Sequence, residues 1–419
     1  MLSYIEIVQE SLSVSTIAAA YEPAYARRVE GMKASEIREL LKLLERPGVI
    51  SFAGGIPDPA LFPVDAAAEA YRALLADPQR SAAALQYSVS EGYAPLRAWI
   101  ARHMAEQGVP ATPDNIVITA GSQQGLDFLG KLLIHPGDTV LTTTPTYLGA
   151  LQAFSAYEPR YDSLRPEESH RTPQSYLTAA ATAGGRPKFL YVVPDFANPT
   201  GETLSLPARE DLLRLAREID APILEDAAYR ALRFEGADLP SLQALDVAAT
   251  GSLEASRVVY LGTFSKTVAP GLRVAWICAS QALIRRLVLV IQASELNVSV
   301  INQMVMERLA RERHEALIAQ ARAHYRLKRD AMLAALAAYM PAGVRWTSPE
   351  GGLFVWVTLP EGVDAAALLP RAVAECSVAF VPGGAFHPNG EGANTMRLSY
   401  SLPTVEGIGE GVRRLAGLV

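Results

Sequence analysis

The sequence contains few of the residues that mark a secreted, metal-binding or membrane-inserted protein. Its 419 residues include only two cysteines, Cys278 and Cys376, whose spacing suits neither a metal site nor a redox pair. No apolar stretch approaches the ~18 residues of a membrane span. The first ten residues carry acids where a signal peptide requires positive charge. We therefore expect a cytoplasmic protein with no membrane contact and no bound metal.

The chain also lacks the charge and the motif of two large classes of binding protein. Its net charge of −6 offers no basic surface for nucleic acid. No Gly-x-Gly-x-x-Gly follows a predicted strand, so a nicotinamide-dependent dehydrogenase is a remote alternative. The composition, with 50% apolar and 20% charged residues, is normal for a globular enzyme.

Short apolar runs alternate with helical patterns between about residues 60 and 305. The runs predict strands at Asn115–Thr119, Thr139–Thr143, Phe189–Val193, Pro222–Glu225 and Val258–Leu261. This alternation is typical of a mainly parallel sheet between helices. A long helix is then predicted at Glu307–Tyr339, followed by strands at Gly352–Thr358, Val378–Val381 and Thr395–Tyr400. We expect an α/β protein with a large domain at 61–305 and a smaller α+β domain at 306–419.

The N-terminal part has weaker patterns. Residues 1–30 show little periodicity and are expected to form an extension. An amphipathic helix is predicted at Ala34–Glu45, before the stop signal Pro47-Gly48. Ser35 and Arg38 lie three residues apart, near one another on a face beside the apolar stripe. From the pattern alone, Arg38 is better explained as a solvated surface residue.

Lys266 is the most informative lysine of the chain. It follows the apolar run Val258–Leu261, between Thr263 and Ser265 on one side and Arg273 on the other. An amine at the end of a buried strand loses solvation and stays partly neutral, as a Schiff-base lysine requires. Hydroxyl groups and an arginine beside it suit a phosphate. This combination points to pyridoxal phosphate, although a lysine that faces water explains the segment equally well.

Other polar residues follow the predicted strands, where ligands bind in open α/β sheets. Ser122, in a Gly-Ser turn that opens a helix, suits an anion, but a plain N-cap is the simpler explanation. Tyr147 can stack on a flat ring or simply pack. Asn198 lies in a turn, Asn198-Pro-Thr-Gly201. Asp226, one helical turn before Tyr229, needs a cation to compensate its burial, and a protonated pyridine nitrogen would serve.

The order of these residues resembles fold-type I pyridoxal-phosphate-dependent aminotransferases of class I/II. The similarity covers roughly residues 30–415 and includes Asn198-Pro-Thr-Gly201, Asp226-x-x-Tyr229, Ser265-Lys266, Arg273 and Arg397. The 2-aminoadipate/kynurenine aminotransferase subgroup is the most similar, through the segments 34–42, 51–57, 85–97, 121–124 and 380–384. The fold implied is a large domain with a mainly parallel seven-stranded sheet between helices, plus a smaller α+β domain.

The resemblance also implies a role for each matching residue. Lys266 would bind the cofactor covalently and transfer protons, while Asp226 would pair with the ring nitrogen and Tyr147 would stack on the ring. The remaining cofactor contacts would come from Ser122, Gln123, Asn198, Tyr229, Thr263, Ser265, Arg273 and, from a neighbouring subunit, Tyr87. Arg397 would bind the substrate α-carboxylate beside the backbone of Gly54 or Gly55.

The resemblance further implies a homodimer with shared active sites, and a lid-like helix in residues 31–60, a segment that joins the small domain. Arg38, with Ser35, would then bind the distal carboxylate of an acidic substrate.

The expected activity is amino transfer from an L-amino acid to a 2-oxo acid, which the resemblance to the family implies is 2-oxoglutarate. We expect broad or dual specificity for 2-aminoadipate, glutamate, aromatic or aliphatic amino acids. The same lysine and aspartate would also serve a decarboxylase or lyase. An aminotransferase-like regulator needs a longer basic N-terminal region than this chain has. The sequence assigns no role to Asp195 or to Glu295–Ser299.

Overall fold

The structure, a computed structural model, describes residues 24–29, 32, 48–168 and 171–419. In chain order its strands are β1 (Ile50–Ser51), β2 (Ile116–Thr119), β3 (Thr139–Thr143), β4 (Arg160–Leu164), β5 (Pro187–Val192), β6 (Ile223–Asp226), β7 (Val258–Thr263), β8 (Ala275–Cys278), β9 (Arg345–Trp346), β10 (Phe354–Thr358), β11 (Val378–Ala379), β12 (Val381–Pro382) and β13 (Thr395–Ser399).

The helices are distributed between and after these strands. In chain order they are α1 (Val64–Ala76), α2 (Pro78–Ala84), α3 (Ala94–Glu106), α4 (Ser122–Leu133), α5 (Leu148–Ser155), α6 (Pro173–Thr182), α7 (Leu206–Glu218), α8 (Leu242–Thr250), α9 (Gln281–Gln292), α10 (Val300–Tyr339), α11 (Ala365–Cys376) and α12 (Val405–Ala416).

A seven-stranded sheet of order β2-β8-β7-β6-β5-β3-β4 forms the centre of the fold. Only β8 runs against the other strands of this sheet, which confirms the predicted mainly parallel arrangement. Strands β2, β6 and β8 are buried along their whole length, as expected for a sheet covered by helices on both faces. The edge strand β4 was not predicted, because Arg160-Tyr-Asp-Ser-Leu164 is too polar to give an apolar run.

The parallel strands bring the predicted site residues to one edge of the sheet. Asp226 ends β6, and Lys266 follows β7 in the loop that leads to β8. Tyr147 and Asn198 follow β3 and β5, and Ser122 follows β2 at the start of α4. Strand order alone therefore brings together residues that lie up to 144 positions apart in the chain (266 − 122).

A smaller group of strands and helices packs beside the central sheet. It contains a four-stranded antiparallel sheet of order β12-β13-β10-β9 and the parallel pair β1-β11. The long helix α10 begins at Val300, earlier than predicted, and is continuous across the expected domain limit at 305–306. The domain limits themselves stay a prediction.

The described part of the N-terminal segment is fixed to the smaller group. Phe52 N donates to Ala379 O at 2.7 Å, and Ser399 N donates to Phe52 O at 2.8 Å. The Phe52 ring packs against α12 at Gly411, where a Cβ would lie 2.6 Å from the ring. The helix predicted at Ala34–Glu45, with Ser35 and Arg38, lies outside the described residues. Within the described ranges, no helix has both the length and the apolar character needed to span a membrane.

Gly411→Ala should destabilise the protein, because the new methyl group would overlap the Phe52 ring and approach Ile50 Cγ2 to 2.9 Å. We expect a loss of roughly 1–3 kcal/mol in the free energy of unfolding, measured by chemical denaturation. Gly409→Ala on the same helix is the control. No described atom lies within 4 Å of its added Cβ, so this variant should gain about 0.5–1 kcal/mol. Equal effects of the two substitutions would contradict the proposed packing.

Candidate active site

A cavity of about 650 Å³ opens at the carboxyl edge of the central sheet. Most of the predicted cofactor residues line it, namely Ser122, Gln123, Tyr147, Asn198, Asp226, Tyr229, Thr263, Ser265, Lys266 and Arg273. Met32 and Ile56 from the N-terminal segment also line the cavity, so that segment closes one side of it. The structure therefore brings these residues together in one cavity, and their roles stay predictions.

Lys266 extends its amine into the cavity. Its Nζ donates to the carbonyl oxygen of Gly55 at 3.1 Å and lies 5.8 Å from the centroid of the Tyr229 ring. Loss of solvation, together with the nearby guanidinium groups of Arg397 and Arg273, lowers the pKa of Lys266 to about 8, against the opposing effect of the Asp226 charge. A substantial fraction of the amine is therefore neutral near physiological pH.

Asp226 presents a carboxylate from the end of β6 with only 3% of its surface exposed. Its Oδ2 accepts a hydrogen bond from the Tyr191 hydroxyl at 2.9 Å, while its Oδ1 has no partner among the described residues. Burial raises the pKa of Asp226 to about 6, and the Tyr191 hydroxyl opposes this shift. A buried carboxylate oxygen without a donor suits a cationic ligand atom, such as a protonated ring nitrogen.

The N-terminus of α4 and the loop after β7 form a candidate anion site. Ser122 is the first residue of α4, and Gly121 (φ +92°) is the N-cap, so the alternative of Ser122 as a capping residue is wrong. The buried Ser122 Oγ has no partner within the described structure. Arg273 Nη2 donates to Ala120 O at 2.9 Å. A Cβ at position 121 would lie only 2.2 Å from this Nη2, so glycine is required there for the arginine to approach. Free helix N–H groups, a hydroxyl and a guanidinium converge here as a phosphate requires.

Tyr147 and Gln123 line the cavity next to this candidate anion site. The Tyr147 hydroxyl donates weakly to Gln123 Oε1 at 3.4 Å, and Gln123 Nε2 donates to Gly149 O at 2.6 Å. A Cβ on Gly149 would lie 2.4 Å from the Tyr147 ring, so glycine at the start of α5 is what permits this ring position. Burial raises the pKa of Tyr147 to about 12, so the phenol is neutral.

Arg397 lies beside the cavity, buried to 1% exposure on β13. Its Nη1 donates to Asn198 Oδ1 at 2.8 Å, and its Nη2 donates to the carbonyl oxygens of Ala53 at 2.8 Å and Gly54 at 3.3 Å. Its Nε has no partner among the described residues, and burial lowers the pKa of Arg397 to about 10. The guanidinium remains a cation at neutral pH and can pair with a carboxylate.

Phe354 holds these groups together from β10. Its ring lies under the Arg397 guanidinium at 4.4 Å from the centroid and meets the Tyr229 ring edge to face at 5.5 Å. A Cβ on Gly55 would lie 2.9 Å from Phe354 Cζ, which explains why the backbone of this segment can approach so closely. Asn198 also contacts the hydroxyl of Tyr229.

Tyr87 is the one described member of the predicted set that lies away from these groups. It is 78% exposed between α2 and α3 and does not line the cavity within the described structure. Two contacts were not expected from the sequence. The Tyr191 hydroxyl donates to Asp226, but Tyr191 is the penultimate residue of β5 and so does not stand out as a strand-end residue. Glu295 accepts a hydrogen bond from Gln124 beside the candidate anion site.

The described residues fit pyridoxal phosphate. The anion site suits its phosphate, the unpartnered oxygen of Asp226 suits its ring nitrogen, and the partly neutral amine of Lys266 suits its aldehyde. Tyr147 offers an aromatic face between the anion site and the lysine.

Comparison with known proteins agrees with this chemistry. A 2-aminoadipate transaminase from Thermus thermophilus is 44% identical over 94% of this chain and 96% of its own length. An aromatic-amino-acid aminotransferase from Thermococcus litoralis is 41% identical over 98% of this chain and 96% of its own length. The crystal structure of the Thermus thermophilus alpha-aminoadipate aminotransferase with N-(5'-phosphopyridoxyl)-L-leucine superposes with a TM-score of 0.85, at 43% identity over 95% of this chain and 97% of that chain.

The sequence profile of the family described as aminotransferase class I and II matches residues 47–415, which is most of the chain. The profile match, the relatives and the fold agree, and the phosphopyridoxyl ligand of the solved relative identifies the cofactor as pyridoxal phosphate. This chain belongs to the class I and II aminotransferase family of fold-type I enzymes.

Proposed function

We propose that this aminotransferase moves the amino group of an L-amino acid to a 2-oxo acid, 2-oxoglutarate in particular, in two alternating half-reactions. The observation that carries the proposal is the pairing, in one cavity, of the partly neutral Lys266 amine with the unpartnered carboxylate oxygen of Asp226. Bound pyridoxal phosphate supplies an aldehyde that exchanges amines and a ring that withdraws electrons from the substrate.

Lys266 is the proposed acid and base. Its free amine has a pKa of about 8, and it would hold the cofactor covalently through the cofactor's aldehyde. When it is not attached to the cofactor, Nζ would accept the proton from the substrate α-carbon as a base and give it up again as an acid. The Gly55 carbonyl, 3.1 Å from Nζ, keeps the amine inside the cavity.

Asp226 is proposed to stay ionised beside the ring nitrogen, which keeps that nitrogen protonated. The Tyr191 hydroxyl supports the charge of Asp226 by donating to Oδ2. Asn198 and Tyr229 are proposed to contact the ring oxygen, and Ser122, Gln123, Thr263, Ser265 and Arg273 to hold the phosphate. Arg397 is proposed to bind the substrate α-carboxylate beside Gly54 and Gly55, because its cation is fixed by hydrogen bonds and its Nε is free of partners among the described residues.

The exposure of Tyr87 supports a homodimer in which each subunit completes the other's site. A tyrosine with 78% of its surface exposed is typical of a residue that packs against a partner. Leu85 (73%) and Val89 (57%) extend the same apolar surface. The proposed partner is a second copy of this chain, in the cytoplasm.

Dual specificity is the proposal for the substrate side chain. The relatives named above carry the names of an acidic and an aromatic substrate, and one binds a leucine derivative. Arg38, with Ser35, is proposed to pair with the distal carboxylate of glutamate or 2-aminoadipate and to leave room for neutral side chains. Both positions lie outside the described residues, so the proposal rests on the sequence and the relatives.

Lys266→Ala should abolish amino transfer, because one residue binds the cofactor covalently and transfers the protons. The purified variant should also lose the visible absorbance band of lysine-bound cofactor. Lys131→Ala, at an exposed position of α4, is the control and should keep both the band and the activity. Near-normal turnover by Lys266→Ala without an added amine would refute its assigned role.

Tyr87→Phe should weaken retention of the cofactor in a homodimer, because the neighbouring site loses a hydroxyl donor. Mixed dimers of Tyr87→Phe and Lys266→Ala contain one site in which both residues are intact. That site should regain wild-type cofactor affinity and activity, measured per dimer after subunit exchange. A fully active monomer in light scattering, or no gain on mixing, would exclude a shared site.

Arg38→Ala should raise KM for 2-aminoadipate and glutamate by the loss of a charge-assisted hydrogen bond, ~1.5–3 kcal/mol. KM for a neutral aromatic or aliphatic amino acid should hardly change, and this substrate is the internal control. Steady-state kinetics with 2-oxoglutarate or its amino counterpart give both values. Equal losses for the two substrate classes would show that Arg38 does not select the side chain.

A further inference from the structure

A buried carboxylate, Asp195, binds several arginines directly behind the active site. Asp195 has 1% of its surface exposed, and within the described structure three arginines donate to it. Arg209 Nη2 lies 2.7 Å from Oδ1, Arg230 Nη1 lies 3.2 Å from Oδ2, and Arg233 Nη2 lies 3.4 Å from Oδ1. Three arginines therefore share the Asp195 carboxylate in a site with little solvent, and Arg233 also pairs with Glu350 and Asp238.

Two of these arginines connect separate loops through backbone carbonyls. Arg209, which is 0% exposed, donates to Pro194 O at 3.1 Å, Leu204 O at 3.1 Å and Pro240 O at 2.9 Å. Arg230 donates to Leu239 O at 2.6 Å. The loop after β5 and the loop after β6 are thus held against each other around Asp195.

Arg233 extends the network to the smaller sheet. Its guanidinium lies 4.7 Å from the centroid of the Phe196 ring and donates to Glu350 Oε2 at 3.1 Å. Its backbone pairs with Gly351, where a Cβ would lie 2.6 Å from Phe196 Cζ. The turn before β10 is therefore packed directly on the residue that follows Asp195.

Each of the connected elements carries a group of the candidate site. The loop after β5 carries Asn198, the loop after β6 carries Tyr229, and β10 carries Phe354, whose ring supports Arg397. Asn198 Oδ1 in turn accepts from Arg397 at 2.8 Å. Asp195 itself is not among the described residues that line the cavity, so it can act on the site only through these neighbours.

The negative charge of Asp195 is what allows the elements to meet. An asparagine of the same shape would present an N–H donor to guanidinium groups that have only donors. Arg209 and Arg230 would then lose the carboxylate that pairs with them, while Arg233 would keep Glu350 and Asp238. Poorly solvated cations without that partner would move the loops after β5 and β6 apart. Because Arg397 depends on Asn198 and Phe354 for its position, that displacement would reach the carboxylate-binding guanidinium.

We propose that Asp195 is a positioning residue that fixes Arg397, through Asn198, Arg233 and Phe354, for binding the substrate α-carboxylate. The proposal rests on the proposed function, since it assigns Arg397 the carboxylate. Arg397 contacts this carboxylate in the ground state and the transition state alike, so Asp195 affects KM far more than kcat.

The test compares Asp195→Asn with Asp246→Asn in the holoenzyme. Asp246 is also 1% exposed and bound to an arginine, Arg217, but it lies on α8, away from the cavity. Steady-state kinetics give kcat and KM, and calorimetry gives the Kd of glutarate, an unreactive dicarboxylate. Misplacement of a substrate-binding group costs about tenfold or more. We therefore expect Asp195→Asn to raise both the amino-acid KM and the glutarate Kd about tenfold, with kcat within about threefold of wild type.

Asp246→Asn should lower the thermal midpoint while leaving KM and the glutarate Kd unchanged. Arg233→Gln provides a second variant in case Asp195→Asn does not fold, because Arg209 and Arg230 would still compensate Asp195. Arg233→Gln should raise KM and the glutarate Kd several-fold, and combining it with Asp195→Asn should add less than the sum of the two effects. A loss of thermal stability in either variant with wild-type KM and glutarate affinity would overturn the positioning role. Absence of amino transfer by the wild-type enzyme would instead refute the proposed function.

Discussion

The cost of burying charge governs the geometry of this active site. Lys266, Asp226 and Arg397 all lie where solvation is poor, and burial displaces each pKa toward the neutral form. Each group is tolerated because a fixed dipole compensates it: a carbonyl of Gly55 for the lysine, the Tyr191 hydroxyl for the aspartate, and the carbonyls of Ala53 and Gly54 for the arginine. The compensation is incomplete, and the unpartnered Asp226 Oδ1 and Arg397 Nε remain available to ligands.

The cost of burying charge, together with the order of the strands, explains why so many residues of the candidate site could be identified from the sequence. Parallel strands end at one edge of a sheet, so residues such as Asn198, Asp226 and Lys266 are placed together by strand order alone. Their chemical types are unusual at buried strand ends, which makes them visible without a structure. Other elements were predicted from simpler patterns: β10 is a short apolar run, and the sequence of α10 contains neither glycine nor proline.

The parts that could not be predicted depend on contacts between distant segments. Tyr191 resembles any core tyrosine of a strand, and only its distance to Asp226 reveals its function. Asp195 is separated from Arg230 and Arg233 by an entire helix and strand, so no local pattern indicates their pairing. β8 is a short strand that runs against its neighbours, and its direction follows from the tight loop around Lys266 rather than from its own residues.

The helix α10, about 60 Å long at ~1.5 Å per residue, determines which parts can move together. Its Lys328 donates to Asp58 Oδ2 at 2.5 Å and to Ser401 O at 2.9 Å. Asp58 follows the segment around Gly55, and Ser401 follows β13, so both regions are fixed to this helix. The hydrogen bond from Lys266 Nζ to Gly55 O links the segment around Gly55 to the loop that follows β7 of the central sheet. Arg397, which is on β13, donates to the Ala53 carbonyl of the same segment, so the two cations of the site contact one stretch of backbone. A substitution at Lys328, which is not among the described residues that line the cavity, would therefore disturb the Gly55 carbonyl and the end of β13 at once.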